Sequence, residues 1–168
     1  ESAFALEMNE KARELKLLNS HFTNSTGWPH PEHRMSPRDL ATLSQRLIQD
    51  FPKYYPYFNE IEFTYNNIRQ RNRNPLLYKE MNADGLKTGH TRDSGYGLVA
   101  SVNRHNRRII LVVNGLSSKK ARSEEPERLF EWAYREYSNY YLLKSGEQIG
   151  EAEIWLGQSP MKLACKVA

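Results

Sequence analysis

The 168-residue chain has one cysteine, Cys165, so no internal disulfide can brace it, and a lone thiol does not fix the redox compartment. No run of eighteen apolar residues occurs, which excludes a membrane-spanning helix of ordinary length. Internal repeats and low-complexity segments are absent too, which sets aside repeat arrays and composition-driven linkers. No leader-like segment is visible: Glu1 runs straight into a helical pattern, as expected of a processed or excised piece. Charge of one sign is not dominant. Twenty-four Lys and Arg stand against 20 Asp and Glu, giving +4. That permits attraction to nucleic acid, lipid headgroups or cell-wall polymers without choosing among them. With 39% hydrophobic and 26% charged residues, the chain reads as a soluble domain, or one domain plus part of another.

Periodicity supplies the elements. Phe4, Met8, Ala12 and Leu15 recur at helical spacing among charged neighbours. Asn19 to Pro31 breaks that pattern and reads as a loop. Ser36 as N-cap, Pro37 at the first helical position and Asp39 in the first turn then open a second helix. Its stripe of Leu40, Leu43, Leu47 and Phe51 is expected to be core, and Pro52 ends it. Phe63 and Tyr65 fit a short strand followed by a turn at Asn66-Asn67. Ile68 to Tyr78 reads as a polar, basic connection. Gly85–Thr91, Tyr96–Val102 and Arg108–Asn114 read as strands, the last two joined by the turn Asn103-Arg104-His105-Asn106. A third helix is expected from around Ser117 to Ser123, tolerating Pro126 in its opening turns. Its stripe is Leu129, Ala133 and Tyr137, widened by Phe130 and Trp132. After Lys144-Ser145-Gly146, Ile149 to Leu156 reads as the opening strand of a β-rich module.

The octapeptide Asp84-Gly85-Leu86-Lys87-Thr88-Gly89-His90-Thr91 carries the chemical signal. Lys-Thr-Gly alone is a weak motif. On a strand that precedes a hairpin and a long helix, it gains weight, because serine acyl-transfer enzymes place their third motif there. A lysine ammonium favours anionic species and helps move protons. The Thr88 hydroxyl can hydrogen-bond a carboxylate, and Gly89 lets backbone approach substrate closely. A strand edge can pair with an extended peptide.

An ordered series extends this signal. Met8-Asn9, Leu17-Leu18-Asn19-Ser20-His21-Phe22, Thr26-Gly27, Arg38-Asp39-Leu40 and Glu62-Phe63-Thr64 come first. Ile68-Arg69-Gln70, Asn72-Arg73-Asn74, Leu76-Leu77, the octapeptide and Gly95-Tyr96 follow. This series resembles the low-molecular-mass penicillin-binding proteins, serine-type D-alanyl-D-alanine carboxypeptidases, from Phe4 to about Tyr140. The resemblance implies an α/β (α+β) architecture: part of a penicillin-binding-protein/β-lactamase-like transpeptidase fold, with antiparallel strands flanked by helices. Residues 1–143 would be the carboxy-terminal portion of the catalytic domain, and residues 144–168 the start of a small β-rich second domain.

The resemblance also implies roles. Lys87 would be the catalytic lysine, Thr88 would bind the terminal carboxylate, and Gly89 would lie against substrate. The His90 N–H would form half of an oxyanion hole. Arg122 and Arg73 would help hold the carboxylate, for which a guanidinium fork is suited. The family's Ser-x-x-Lys and Ser-x-Asn elements lie upstream of Lys-Thr-Gly and are expected in a part this chain does not carry. Ser117-Ser118-Lys119-Lys120, Ser159-Pro160-Met161-Lys162 and Ser101-Val102-Asn103 match those patterns formally. They lie on the wrong side of the motif and read as chance. The chain alone is therefore expected to be inactive, and to act when the missing N-terminal portion is present, for instance supplied as a separate chain.

Implied partners are peptidoglycan stem peptides ending in D-Ala-D-Ala and β-lactam inhibitors. No cofactor, metal or nucleic acid is expected, and the family implies a periplasmic or extracytoplasmic, membrane-associated setting. Plainer readings stand beside these. His21, His30, His33 and His105 read as surface or packing residues, Arg69 and Arg71 as a solvated loop, and Tyr54, Tyr55, Tyr57 and Phe58 as core or cover. The alternative function is a non-catalytic cell-wall or nucleic-acid binding module.

Overall fold

Helix α1 (Ser2–Glu14) opens the computed structural model, which describes residues 1–140, 142–153 and 162–166. The chain divides into two units, Glu1–Glu136 and Tyr137–Ala168. In α1 the buried residues are Ala5 and Ala12, seven apart, whereas Phe4 is exposed. The inward face is set by the loop the helix holds. The Asn9 amide donates to the Phe22 carbonyl at 2.7 Å, and its oxygen accepts the Phe22 N–H at 2.8 Å. Phe4 lies off that face.

Helix α2 (Pro37–Asp50) starts as its punctuation predicts, with Ser36 Oγ accepting the Asp39 N–H at 3.1 Å. Asp39 is buried and ties the preceding loop, accepting from the Asn19 N–H at 2.7 Å and Ser20 Oγ at 2.6 Å. Burial pushes its carboxyl up, but these hydrogen bonds outweigh that and hold it below the ordinary value. Leu40, Leu43 and Leu47 are half-buried rather than core, and Phe51 is exposed. Phe51 is the C-cap, with φ −127° and ψ 47°, so its side chain leaves the helical phase.

Between Glu62 and Arg71 lies an antiparallel hairpin, β1 (Glu62–Tyr65) and β2 (Ile68–Arg71). Asn66 and Asn67 turn it, with φ of 48° and 61°. All eight strand residues are exposed. The connection expected from Ile68 to Tyr78 is thus a strand and a 3₁₀ turn (Pro75–Tyr78). Its arginines mislead a composition-based reading. Arg69 pairs with Glu62 across the hairpin, and Arg71 lies 4.8 Å from the Tyr78 ring centre.

Strands β3 (Ala83–Thr91), β4 (Gly95–Arg104) and β5 (Arg107–Leu116) form an antiparallel sheet in that order. The four-residue turn expected between β4 and β5 tightens to His105-Asn106, with φ of 50° and 59°, and both strands lengthen accordingly. Their side chains alternate between two covers. Leu98, Ala100 and Val102 pack with Leu76, Met81 and Phe130, alongside Ile109, Leu111 and Val113. Val99 packs with Tyr55 and Leu86, alongside Ile110, Val112, Leu40 and Leu47. Cover on both faces explains why β4 and β5 read as nearly continuous apolar runs.

Helix α3 (Ala121–Glu136) buries Arg122, Pro126 and Phe130, spaced by four. The expected stripe is one residue out of phase. Leu129 and Ala133 flank the buried face, Trp132 is partly exposed, and Tyr137 lies beyond the helix. Pro126 sits deeper than an opening turn and has no N–H for the Arg122 carbonyl. In the second unit, β6 (Gln148–Glu153) pairs antiparallel with β7 (Lys162–Lys166). The strand expected over Ile149–Leu156 ends at Glu153, and residues 154–156 lie outside the described residues.

Candidate active site

Strand β3 lies at one edge of its sheet, and the signal-bearing octapeptide runs along it. Register places Lys87 opposite Val99, Thr88 opposite Leu98 and His90 opposite Tyr96. Successive residues therefore point to opposite faces. Thr88 is only 8% exposed, whereas Lys87, Gly89 and His90 are open. A Cβ built on Gly89 would meet no atom within 4 Å, and its φ is not left-handed. Neither packing nor backbone conformation requires glycine there, and the space beside the strand is clear.

Two arginines converge on this strand from different elements. Arg122, in the first turn of α3, is 9% exposed and donates from Nη1 to the Gly89 carbonyl at 3.3 Å. Its guanidinium lies 5.4 Å from the Tyr96 ring, which in turn stacks on His90 at 4.1 Å between centres. Arg122 Nε is buried with no hydrogen-bond partner in the protein. A buried guanidinium donor normally finds an acceptor.

Arg73 arrives from the segment before the 3₁₀ turn, and two asparagines present it. The Asn72 amide donates to the Phe58 and Glu60 carbonyls at 3.2 and 2.9 Å, and its oxygen accepts the Asn74 N–H at 3.0 Å. Asn74 is buried, donates to the Gly85 carbonyl at 2.8 Å and caps the 3₁₀ turn by accepting the Leu76 N–H at 3.1 Å. Arg73, Lys87 and Thr88 line one pocket of about 270 Å³ with Tyr57 and Phe58.

Electrostatics link the three cations. Burial, then the charges of Arg73 and Arg122, lowers the Lys87 ammonium below the ordinary lysine value. Lys87 Nζ donates to the Thr88 carbonyl at 2.5 Å. Among the described residues none of the three cations has an ion pair. Such a group attracts a carboxylate or an oxyanion and disfavours a further cation.

Sequence reading missed the support beneath β3. Tyr55 donates to Asp84 Oδ1 at 2.9 Å, and Arg108 Nη1 meets the same carboxylate at 2.7–2.8 Å and Ser101 Oγ at 2.5 Å. Burial, with Asp84 adding to it, pushes the Tyr55 hydroxyl up to about 12. A Cβ on Gly85 would lie 2.9 Å from the Tyr55 hydroxyl, so glycine permits this contact. Asn74 and Tyr96 were missed as well, and only Asn74 had a local signal, as a cap before Pro75. His33 and His30 have local duties. His33 Nδ1 lies 3.3 Å from Thr23, and His30 Nδ1 accepts the Glu32 N–H at 3.2 Å.

Residues 1–118 match the D-alanyl-D-alanine carboxypeptidase family. D-alanyl-D-alanine carboxypeptidase DacD of Escherichia coli is 41% identical over 155 residues, covering 92% of this chain. The chain spans about 40% of that relative's length. Penicillin-binding protein 5 of Haemophilus influenzae superposes with a TM-score of 0.89 and 37% identity, over 97% of this chain and 48% of the other. Penicillin-binding protein D2 of Listeria monocytogenes, solved in a cefotaxime-bound form, matches with a TM-score of 0.73 and 26% identity. That match covers 79% of this chain and 56% of the other. The fold here, antiparallel strands flanked by helices, is the one these proteins share.

Proposed function

From the premise that the chain belongs to the D-alanyl-D-alanine carboxypeptidase family, we propose that it carries the substrate-holding side of a serine carboxypeptidase site. The ligand is a peptidoglycan stem peptide ending in D-Ala-D-Ala, and β-lactams compete for the same place. One observation carries the reading. Lys87, Arg73 and Arg122 gather around nearly buried Thr88 without an ion-pair partner among the described residues, and Arg122 keeps a buried Nε unpaired.

Each residue then has a task. Thr88 and the guanidinium groups of Arg122 and Arg73 bind the terminal carboxylate. The peptide pairs with the β3 edge beside Gly89, where nothing obstructs it. The His90 N–H donates to the oxyanion that develops at the scissile carbonyl, and Tyr96 stacked on His90 steadies that donor. Lys87, its charged form disfavoured by its neighbours, moves protons beside the nucleophile.

No Ser-x-x-Lys lies upstream of Lys87 in this sequence, so the nucleophile comes from outside the chain. Alone the chain binds but does not turn over, and residues 144–168 open a small β-rich domain. The working enzyme acts outside the cytoplasm. No helix among the described residues is long and apolar enough to cross a membrane. Fluorescent penicillin tests this division of labour. The isolated chain stays unlabelled, whereas adding the upstream portion of a family member restores covalent labelling. Saturable labelling of the chain alone contradicts it.

A further inference from the structure

Every strand residue of the β1–β2 hairpin is exposed, yet its apolar residues are not scattered. Strand alternation puts Phe63 and Tyr65 on one face, and register places Gln70 opposite Phe63 and Ile68 opposite Tyr65. Phe63 is 66% and Tyr65 70% exposed, so this stripe is open to solvent. Its base is nonetheless fixed. The Asn72 N–H donates to the Ile61 carbonyl at 2.8 Å, and the Tyr78 hydroxyl donates to the Asn72 carbonyl at 2.8 Å. A contiguous apolar stripe left open on a fixed base marks an interaction surface.

The stripe runs into the carboxylate pocket. A trough of about 230 Å³, with Tyr57 and Phe63 in its walls, shares Tyr57, Gln70, Arg71 and Asn72 with the pocket of Lys87, Thr88 and Arg73. Asn74 and Phe58, which flank the shared residues, meet β3 at Gly85. The trough therefore leaves toward the start of β3. A stem peptide seated at Thr88 and pairing beyond Gly89 runs the other way and leaves it free.

Charge and side-chain chemistry define what fits. The carboxylate pocket is cationic, whereas the trough carries Glu60 and Glu62 as well as Arg71, which suits a neutral ligand. Among the described residues the side chains of Tyr57, Glu60 and Gln70 have no hydrogen bond or ion pair. The negative face of an aromatic ring attracts the polarised C–H bonds of a sugar ring. A primary amide matches an acetamido group, donor to acceptor and acceptor to donor. Tyr65 follows Phe63 by two residues, about 7 Å along the strand, so a chain of linked rings meets both. We propose that the trough and stripe hold a β-linked N-acetylhexosamine chain, the glycan of a polymer strand neighbouring the one whose stem peptide occupies Thr88. This inference rests on the peptidoglycan ligand proposed above and assigns a second part of it.

NMR titration of the N-acetylglucosamine tetramer into the isotope-labelled whole chain tests it. Saturable shifts at Tyr57, Phe63, Tyr65 and Gln70 are expected. Cellotetraose, which lacks the acetamido groups, binds at least about threefold more weakly. Phe63→Ala weakens the acetylated tetramer about fivefold, and Phe63→Trp retains it. Phe63→Ala keeps a dispersed spectrum, which shows that it folds, and binds Nα-acetyl-D-Ala-D-Ala as the parent does. No shift at the hairpin, or equal binding of the two tetramers, overturns the glycan platform, and dipeptide binding then leaves the carboxylate site standing. Loss of the tetramer shifts on adding the upstream portion of a family member also overturns it, because protein then covers the hairpin. Binding of neither dipeptide nor tetramer overturns both readings.

Discussion

The two arginines that approach Thr88 are held in different ways. Arg122 is buried in the first turn of α3, bonded to the Gly89 carbonyl and stacked over Tyr96. Arg73 is exposed, and what is fixed is the backbone on either side of it, through Asn72 and Asn74. A buried guanidinium acts in a low-dielectric setting, where its hydrogen bonds to an anion count for more. An exposed one contributes a field that salt screens. The site thus combines one geometric anchor with one electrostatic guide.

The difference can be broken from the anchor side first. Arg122→Ala should weaken binding of a D-Ala-D-Ala peptide about 10- to 100-fold, the loss of a charge-assisted hydrogen bond worth about 1.5–3 kcal/mol. Arg122→Lys should not restore it, because an ammonium lacks the planar fork. Calorimetric titration of both variants checks this, and full rescue by lysine would reduce the anchor to a point charge.

Asn74→Ala attacks the guide through its support. It removes a buried amide that bonds the Gly85 carbonyl, and it should cost about 1–3 kcal/mol in urea unfolding. Peptide affinity should fall together with stability, since the Arg73 backbone loses its tether. Arg73→Gln should be milder, about fivefold in affinity, and the deficit should shrink from 50 to 500 mM salt. An unchanged deficit across that range would place Arg73 in the same class as Arg122.

The smallest effect is a titration. Burial and the two arginine charges lower the Lys87 pKa, so removing either charge must raise it. NMR titration of the Lys87 side chain should show its midpoint rising toward the ordinary lysine value in Arg73→Gln and again in Arg122→Gln. A midpoint that falls, or does not move in either variant, would contradict the clustering.

Legibility from sequence followed the locality of the signal. The α2 start was fully written in Ser36, Pro37 and Asp39, and the Asn66-Asn67 turn in residues that accept left-handed backbone. The α3 phase was not. Apolar identity favoured Leu129, Ala133 and Tyr137 and gave Phe130 only a flanking place, whereas the buried face is Arg122, Pro126 and Phe130, and a buried arginine carries no hydrophobic signal. Strand β2 was masked by its own charge, because Ile68-Arg69-Gln70-Arg71 is exposed on both faces and shows no alternation. In the site, the octapeptide announced β3. The Tyr55–Asp84–Arg108–Ser101 network beneath it joins four separate segments, a juxtaposition no local window contains.

The most direct test of the carboxylate site compares Nα-acetyl-D-Ala-D-Ala with its carboxy-terminal amide, each titrated into the 168-residue chain. The two ligands share every peptide contact and differ only in the terminal charge. Measurable binding of the acid, with the amide at least about tenfold weaker, is the predicted result. Equal binding of acid and amide, or binding of neither, would contradict a carboxylate held by Thr88, Arg122 and Arg73.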